Sequence, residues 1–216
     1  MEIDIIKLLL SLVGAYLLGS IPSAVWIGKA FYGVDVREHG SGNAGTTNVM
    51  RVLGKKAALP VFAIDALKGY AAVALAGCSG VPSQSEGYLY VKIALCLLAV
   101  VGHMFPIFAG FKGGKGVATL VGAMFGFSVG GILLAFATFL VVVARTKYVS
   151  VGSLTGGTLL PFYAALCGQS DWRLMVFFAL IALLLFYTHR TNIGRLLHGT
   201  ENKTYLFGRG KQHPKK

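Results

Sequence analysis

Charge is what this chain has least of. Only 13% of its 216 residues are charged, about half of the ~25% that a soluble domain carries. Hydrophobic residues make up 55% and the mean hydropathy is +0.69, which is more apolar surface than a soluble fold of this length buries. An ordinary cytosolic domain and a disordered chain are both excluded. Cysteine is scarce as well. Cys78, Cys96 and Cys167 stand far apart in apolar surroundings without a Cys-x-x-Cys spacing, which excludes a secreted disulfide scaffold and marks them as small buried helix residues. No histidine or acidic cluster has metal-ligand spacing, so neither a metal nor a cofactor is expected. No histidine has an aspartate five positions on: Ala44, Phe108, Gly194 and Lys203 stand there, and His213 is too near the end.

The class that remains is an all-α polytopic membrane bundle. Charge-free runs cover Leu8–Gly28, Ala57–Ile64 with Gly69–Ser85, Ile93–Phe111, Gly116–Ala144, Tyr148–Ser170 and Leu174–Thr188, and a span takes about 20 residues. The first run follows Glu2 and Asp4 instead of a basic segment, so it reads as a retained span and not a signal peptide. The run Gly116–Ala144 has 29 residues, with Ser128, Gly130 and Gly131 at its middle. If it turns near 127–131, the segments 29–56, 110–116, 145–147 and 189–216 share one side and hold 16 of the 20 lysines and arginines. Basic residues accumulate in cytoplasmic loops. The expectation is about seven transmembrane helices in a single domain over 1–216, N-terminus outside and C-terminus cytoplasmic. Each half of the turned run is ~15 residues, or ~22 Å of helix, against a ~30 Å core; two full spans and a re-entrant pair both fit. The net charge of +12 is then mostly topology signal, with some attraction to membrane lipid headgroups. Nucleic acid is not an expected partner, because no soluble basic domain is left to bind it.

Three polar segments on the side assigned to the cytoplasm carry more than connectors need. The first lies within 37–56 and reads Gly40-Ser41-Gly42-Asn43-Ala44-Gly45-Thr46-Thr47-Asn48-Val49-Met50-Arg51. Its glycines allow N–H groups to converge on an anion, its hydroxyls and amides add donors, and Arg51 adds a fork for phosphate or carboxylate. The second, 110–116, reads Gly-Phe-Lys-Gly-Gly-Lys-Gly after His103 and Pro106. It is not a nucleotide phosphate loop: no glycine stands five positions before Gly114, and Gly116 follows Lys115 where Ser or Thr is needed. Lys112 and Lys115 among glycines at a helix start still suit a phosphate, with Gly113 and Gly114 as N–H donors. The third, 189–203, begins where the last span ends. On a helix His189 and Asn192 share a face, and histidine suits proton transfer near neutral pH. Arg190 would point elsewhere, toward headgroups. Glu201 reads as a structural partner for a nearby arginine or lysine.

Other features read as packing. Gly126-x-x-x-Gly130 and Gly152-x-x-x-Gly156 fit close helix contacts. Asp65 and Lys68, three apart, form a pair within the bundle, structural or functional. Ser150 and Ser153 begin a run on the cytoplasmic side and are within reach of a shared site. The tail 204–216 is a solvated basic end.

Taken together, Gly19-Ser20-Ile21-Pro22, GSGNAGTTNVMR, HMFPIFAGFKGGKGVAT and HRTNIGRLLHGTEN resemble the bacterial acyl-phosphate:glycerol-3-phosphate acyltransferase (PlsY) family, in order and spacing over nearly the whole chain. The resemblance implies transfer of a fatty acyl group from acyl phosphate to the 1-hydroxyl of glycerol 3-phosphate, giving lysophosphatidic acid and inorganic phosphate, in the bacterial inner membrane. It implies no metal, CoA or acyl carrier protein as direct donor. Carried over motif by motif, the catalytic residues are Ser41, Arg51, Lys115, His189 and Asn192, and Glu201 is structural. Gly40, Gly42, Asn43, Thr47, Asn48, Gly113, Gly114 and Ser153 are the expected substrate contacts. Ala44 stands where the family usually has proline, which frees one φ angle. The base is either His189 or a substrate phosphate. A transporter for a phosphorylated solute would use the same basic loops, but it calls for an inverted repeat with broken helices at midplane, and the polar groups here cluster on one side.

Overall fold

The computed structural model describes residues 4–205. The expected tail from 206 on lies outside the described residues, as do residues 1–3. The described elements are helices, in two compact units, Met1–Val129 and Gly130–Lys216.

The first unit holds α1 (Ile5–Gly19), α2 (Ser23–Tyr32), α3 (Thr46–Val52), α4 (Lys55–Ala74), α5 (Glu86–Met104) and α6 (Val117–Met124). α1 and α2 meet at a bend of 42°, because Pro22 has no N–H to continue the ladder. The bend leaves the Ile21 carbonyl in an apolar run. Lys68 of α4 answers it: Nζ donates to Ile21 O at 2.8 Å and pairs with Asp65 Oδ1 at 2.7 Å. Ser23 Oγ donates to the same carboxylate oxygen at 2.8 Å. All of these side chains are buried, so the Asp65–Lys68 pair fastens the α1–α2 bend to α4. α4 and α6 touch at Gly69 and Gly122. A Cβ on either would run into the backbone of the other helix, at Thr119 or Ala66, and only glycine permits that approach.

The long run Gly116–Ala144 is broken by a turn at 125–127. Its first half, α6, has eight residues, about 12 Å of helix, too short to cross. Among the described residues four helical stretches are long and apolar enough to cross a membrane: Lys55–Cys78, Glu86–Ala109, Val129–Thr146 and Val149–Leu166. Counting each bent pair as one span makes six; the expected seventh passage is α6. Gly126 falls in the turn, so Gly126-x-x-x-Gly130 straddles two elements and is not one packing face.

The second unit holds α7 (Val129–Thr146, whose first residue closes the first unit), α8 (Val149–Leu166), α9 (Trp172–Thr188) and α10 (Arg190–Leu197). Gly152 and Gly156 do serve close packing: they face Phe139, Val143 and the Ala135 carbonyl of α7. α9 and α10 meet at 60°, with His189 as the shared residue between them.

Removing one partner of a buried ion pair costs about 3–5 kcal/mol. Lys68→Met takes the lysine counter-ion from Asp65 and the side-chain donor from the Ile21 carbonyl, so its unfolding midpoint in detergent should fall by ~10 °C or more. A midpoint within 2 °C of the parent, a shift that size being worth under about 1 kcal/mol, contradicts the role given to this pair.

Candidate active site

In the first unit two of the polar segments lie against each other. Arg37 makes the first tie. It chelates Asp35 with Nε and Nη2 and donates from Nη1 to the Ala109 carbonyl at 2.8 Å. Its hydrogen bonds, with those of Lys29, hold the Asp35 carboxyl well below the usual range against the opposing effect of burial. Ala44 makes the second: a Cβ on Gly114 would come within 3.2 Å of its carbonyl oxygen.

The loop before α3 is built around Asn48. Its Nδ2 donates to Val36 O at 2.7 Å and His39 O at 3.1 Å, and its Oδ1 accepts from Ser41 N–H at 2.8 Å. Gly40, at φ +62°, packs so closely on that oxygen that a Cβ would collide with it. Gly42 N–H is taken by His39 O at 3.1 Å. Of the expected substrate contacts, the Gly42 N–H and the Asn48 side chain are engaged within the loop in this structure. Asn48 is 2% exposed and serves as the loop's internal template, and the N–H groups of Ser41 and Gly42 point inward. What the loop offers outward is side chains. Ser41 is exposed, Asn43 and Thr47 are half-buried, and Asn43 folds its Oδ1 over Gly45. Arg51 is half-buried in the last turn of α3. Thr46 was passed over in the sequence. Its Oγ1 is buried with no hydrogen-bond partner among the described residues. Nothing in a Thr-Thr pair says which hydroxyl will be orphaned.

The glycine loop has the same economy. Phe111 N–H donates to Pro106 O, Gly113 N–H to Met104 O at 3.2 Å and Gly114 N–H to His103 O at 3.1 Å. The N–H groups of Gly113 and Gly114, expected to face phosphate, cap the last carbonyls of α5 in this structure, carbonyls that have no helical partner. The glycines are there because neither site has room for a Cβ, Gly113 lying on the His103 carbonyl and Gly114 on the imidazole of His103. Lys115 is half-buried and opens α6 behind Gly116, a left-handed residue at φ 81°.

In the second unit the bend between α9 and α10 gathers the remaining groups. His189 is 3% exposed. Its Nδ1 lies 2.9 Å from Leu185 O. A carbonyl only accepts, so Nδ1 carries a hydrogen, which in the neutral ring leaves the lone pair on Nε2. Asn192, 8% exposed, sits one turn into α10. Its Nδ2 donates to Glu201 Oε1 at 2.6 Å, Ser150 Oγ to the same oxygen at 3.0 Å, and Arg195 Nε to Oε2 at 2.8 Å. Burial works to raise the Glu201 pKa, but Arg195, Asn192 and Ser150 together bring it below its ordinary 4.5. Glu201 thus ties α10 to the start of α8. Ser153, also buried, lies three residues beyond Ser150 on that face of α8. Arg190 turns away, stacking over the Tyr187 ring at 4.5 Å. Among the described residues no group of three or more His, Cys, Asp or Glu has the arrangement of a metal site.

A sequence model of the family described as glycerol-3-phosphate acyltransferase matches residues 9–199. The chain is similar to the glycerol-3-phosphate acyltransferase of Fusobacterium nucleatum subsp. nucleatum, with 45% identity over 193 residues, covering 89% of this chain and 95% of that one. With the glycerol-3-phosphate acyltransferase of Chlorobaculum tepidum it shares 40% identity over 226 aligned positions, covering 92% and 96%. Among solved structures it is similar to PlsY (YgiH), an integral membrane glycerol 3-phosphate acyltransferase, in its glycerol 3-phosphate form: TM-score 0.80, 40% identity, 93% of this chain and 95% of that one. The lysophosphatidic acid form of PlsY matches with a TM-score of 0.78 at 38% identity. With the family model covering most of its length and close relatives aligned from end to end, this all-helical membrane chain belongs to the glycerol-3-phosphate acyltransferase family.

Proposed function

We propose that the protein transfers a fatty acyl group from acyl phosphate to the 1-hydroxyl of glycerol 3-phosphate, at the cytoplasmic face of a bacterial inner membrane. The carrying observation is that PlsY, 38–40% identical over 93% of this chain, has crystal structures in a glycerol 3-phosphate form and a lysophosphatidic acid form. Those two molecules differ by one acyl group on one hydroxyl, so they are acceptor and product of a single transfer. The cytoplasmic assignment is supported by the lysines and arginines that accompany all three motif segments.

An acyl phosphate is a mixed anhydride whose leaving group is inorganic phosphate. With both reactants phosphorylated, the protein has to hold roughly three to four negative charges. Arg51 and Lys115 are assigned to that task, with Ser41, Asn43 and Thr47 as donors around the acyl phosphate and Asn192 and Ser153 at the glycerol 3-phosphate end. The acceptor oxygen attacks the acyl carbonyl carbon, a new ester bond forms, the bond to the phosphate oxygen breaks and phosphate leaves with the electron pair. The hydroxyl proton goes to His189, whose Nε2 has the lone pair for it. Preorganised donors at the developing oxyanion are worth ~2.7–4 kcal/mol each, so most of the acceleration comes from orientation and charge stabilisation.

Purified protein given acyl phosphate and glycerol 3-phosphate should release phosphate only when both are present. Turnover with an acyl thioester in place of acyl phosphate would contradict the donor assignment. His189→Gln should lower kcat by ~10²-fold or more, and a rate near the parent's would move the proton to a substrate phosphate. Glu201 gives a pH test. Its folded pKa is depressed, so its ties are intact at neutral pH and are lost as the pH falls through that pKa, below 4.5. Glu201→Gln should therefore have a lower unfolding midpoint at pH 7, and the gap to the parent should close as the pH drops below 4.5. A gap independent of pH contradicts the role given to its charge.

A further inference from the structure

One buried ionisable group is used by none of the steps above. His103 belongs to α5, is 6% exposed and has a distinct neighbour on each edge. On one edge Nδ1 lies 3.1 Å from Thr119 Oγ1 and 3.6 Å from Asp65 Oδ1. The carboxylate only accepts, and its charge favours the hydrogen on Nδ1. On the other edge Nε2 rests against Gly114, so closely that a Cβ there would collide with it. The backbone of the same residue accepts the Gly114 N–H at 3.1 Å. The residue thus meets the glycine loop with its ring and its carbonyl at once, one residue before Lys115. Asp65, which orients the ring, is itself fixed by Lys68 and Ser23.

We infer that His103 is a positioning residue for glycerol 3-phosphate: its imidazole is the floor on which Gly113–Lys115 is moulded, and it sets where the Lys115 ammonium stands. This rests on the reading of Lys115 as a phosphate contact. Ring and glycine are complementary shapes, so each can be tested against the other. Asparagine keeps a donor at the Nδ1 position, toward Thr119 and Asp65, and deletes only the edge against Gly114.

His103→Asn should raise KM for glycerol 3-phosphate by tenfold or more, with kcat and KM for acyl phosphate within threefold of the parent. Gly114→Ala should raise the same KM further, because its Cβ meets the ring. The double variant, in which the methyl fills the space the ring has left, should have a KM no higher than that of Gly114→Ala alone, and its unfolding midpoint without substrate should recover in parallel. Multiplicative effects of the two substitutions, or a folded His103→Asn with unchanged KM, would overturn the inference. If His103→Asn does not fold, Thr119→Val removes one of the two Nδ1 neighbours, leaving Asp65, and should raise the same KM at least twofold with unchanged kcat; an unchanged KM there overturns it equally. Lys115→Ala separates the layers. If it leaves KM for glycerol 3-phosphate unchanged while the midpoints of the His103 and Gly114 variants remain coupled, the phosphate assignment of Lys115 has failed and the moulding of the loop has not.

Discussion

Inside an apolar slab there is no water to satisfy a backbone group, so every interruption of a helix must be answered by the protein itself. This chain interrupts its helices repeatedly, and several of the interruptions have a named answer. The Ile21 carbonyl at the α1–α2 bend is met by Lys68. The last carbonyls of α5 are met by the N–H groups of Gly113 and Gly114. The carbonyls of Val36 and His39 are met by the Asn48 amide, and Leu185 at the α9–α10 bend by the His189 ring.

The same constraint shapes the chemistry. Glycine-rich loops invite the expectation that main-chain N–H groups grip the phosphates. Here those of Ser41, Gly42, Gly113 and Gly114 are already committed to internal acceptors. The side chains that these internally satisfied loops leave for the proposed recognition are Ser41, Asn43 and Thr47, with Arg51 and Lys115 proposed to supply charge. The second unit follows the same logic. Glu201 is the acceptor that orders Asn192, Arg195 and Ser150, and the Leu185 carbonyl selects the His189 tautomer with a lone pair on Nε2. Rigid support of this kind lets a few donors act without reorganisation when charge develops.

Much of this was legible in the sequence. Hydropathy and charge spacing give the all-helical membrane class, the break in 116–144 and the polar segments, and motif order gives the family resemblance. Asp65 and Lys68 announce a pair by spacing alone. What the sequence withholds is where each donor is used. Asn48 and Asn43 are the same residue type five apart, yet one is a buried template and the other is half-buried beside the loop surface; only the carbonyls of Val36 and His39, brought round by the chain, decide between them. α6 ends after eight residues because the turn comes at 125–127, ahead of the 127–131 that the charge spacing suggests. His103 reads as one histidine at the end of a span until Gly114 is found lying on its ring. An ionisable residue within an apolar run is itself a signal, and it was the one available.

The central claim is that acyl transfer is direct, from one bound phosphorylated reactant to another, with the protein supplying orientation and charge and never carrying the acyl group. Ser41, the hydroxyl of the first loop, is exposed and held through its backbone N–H. The most direct measurement is intact-protein mass and rapid-quench phosphate release with acyl phosphate alone. The account predicts no acyl adduct and no burst of phosphate until glycerol 3-phosphate is added. A stoichiometric burst with an acylated protein in the absence of acceptor would contradict it.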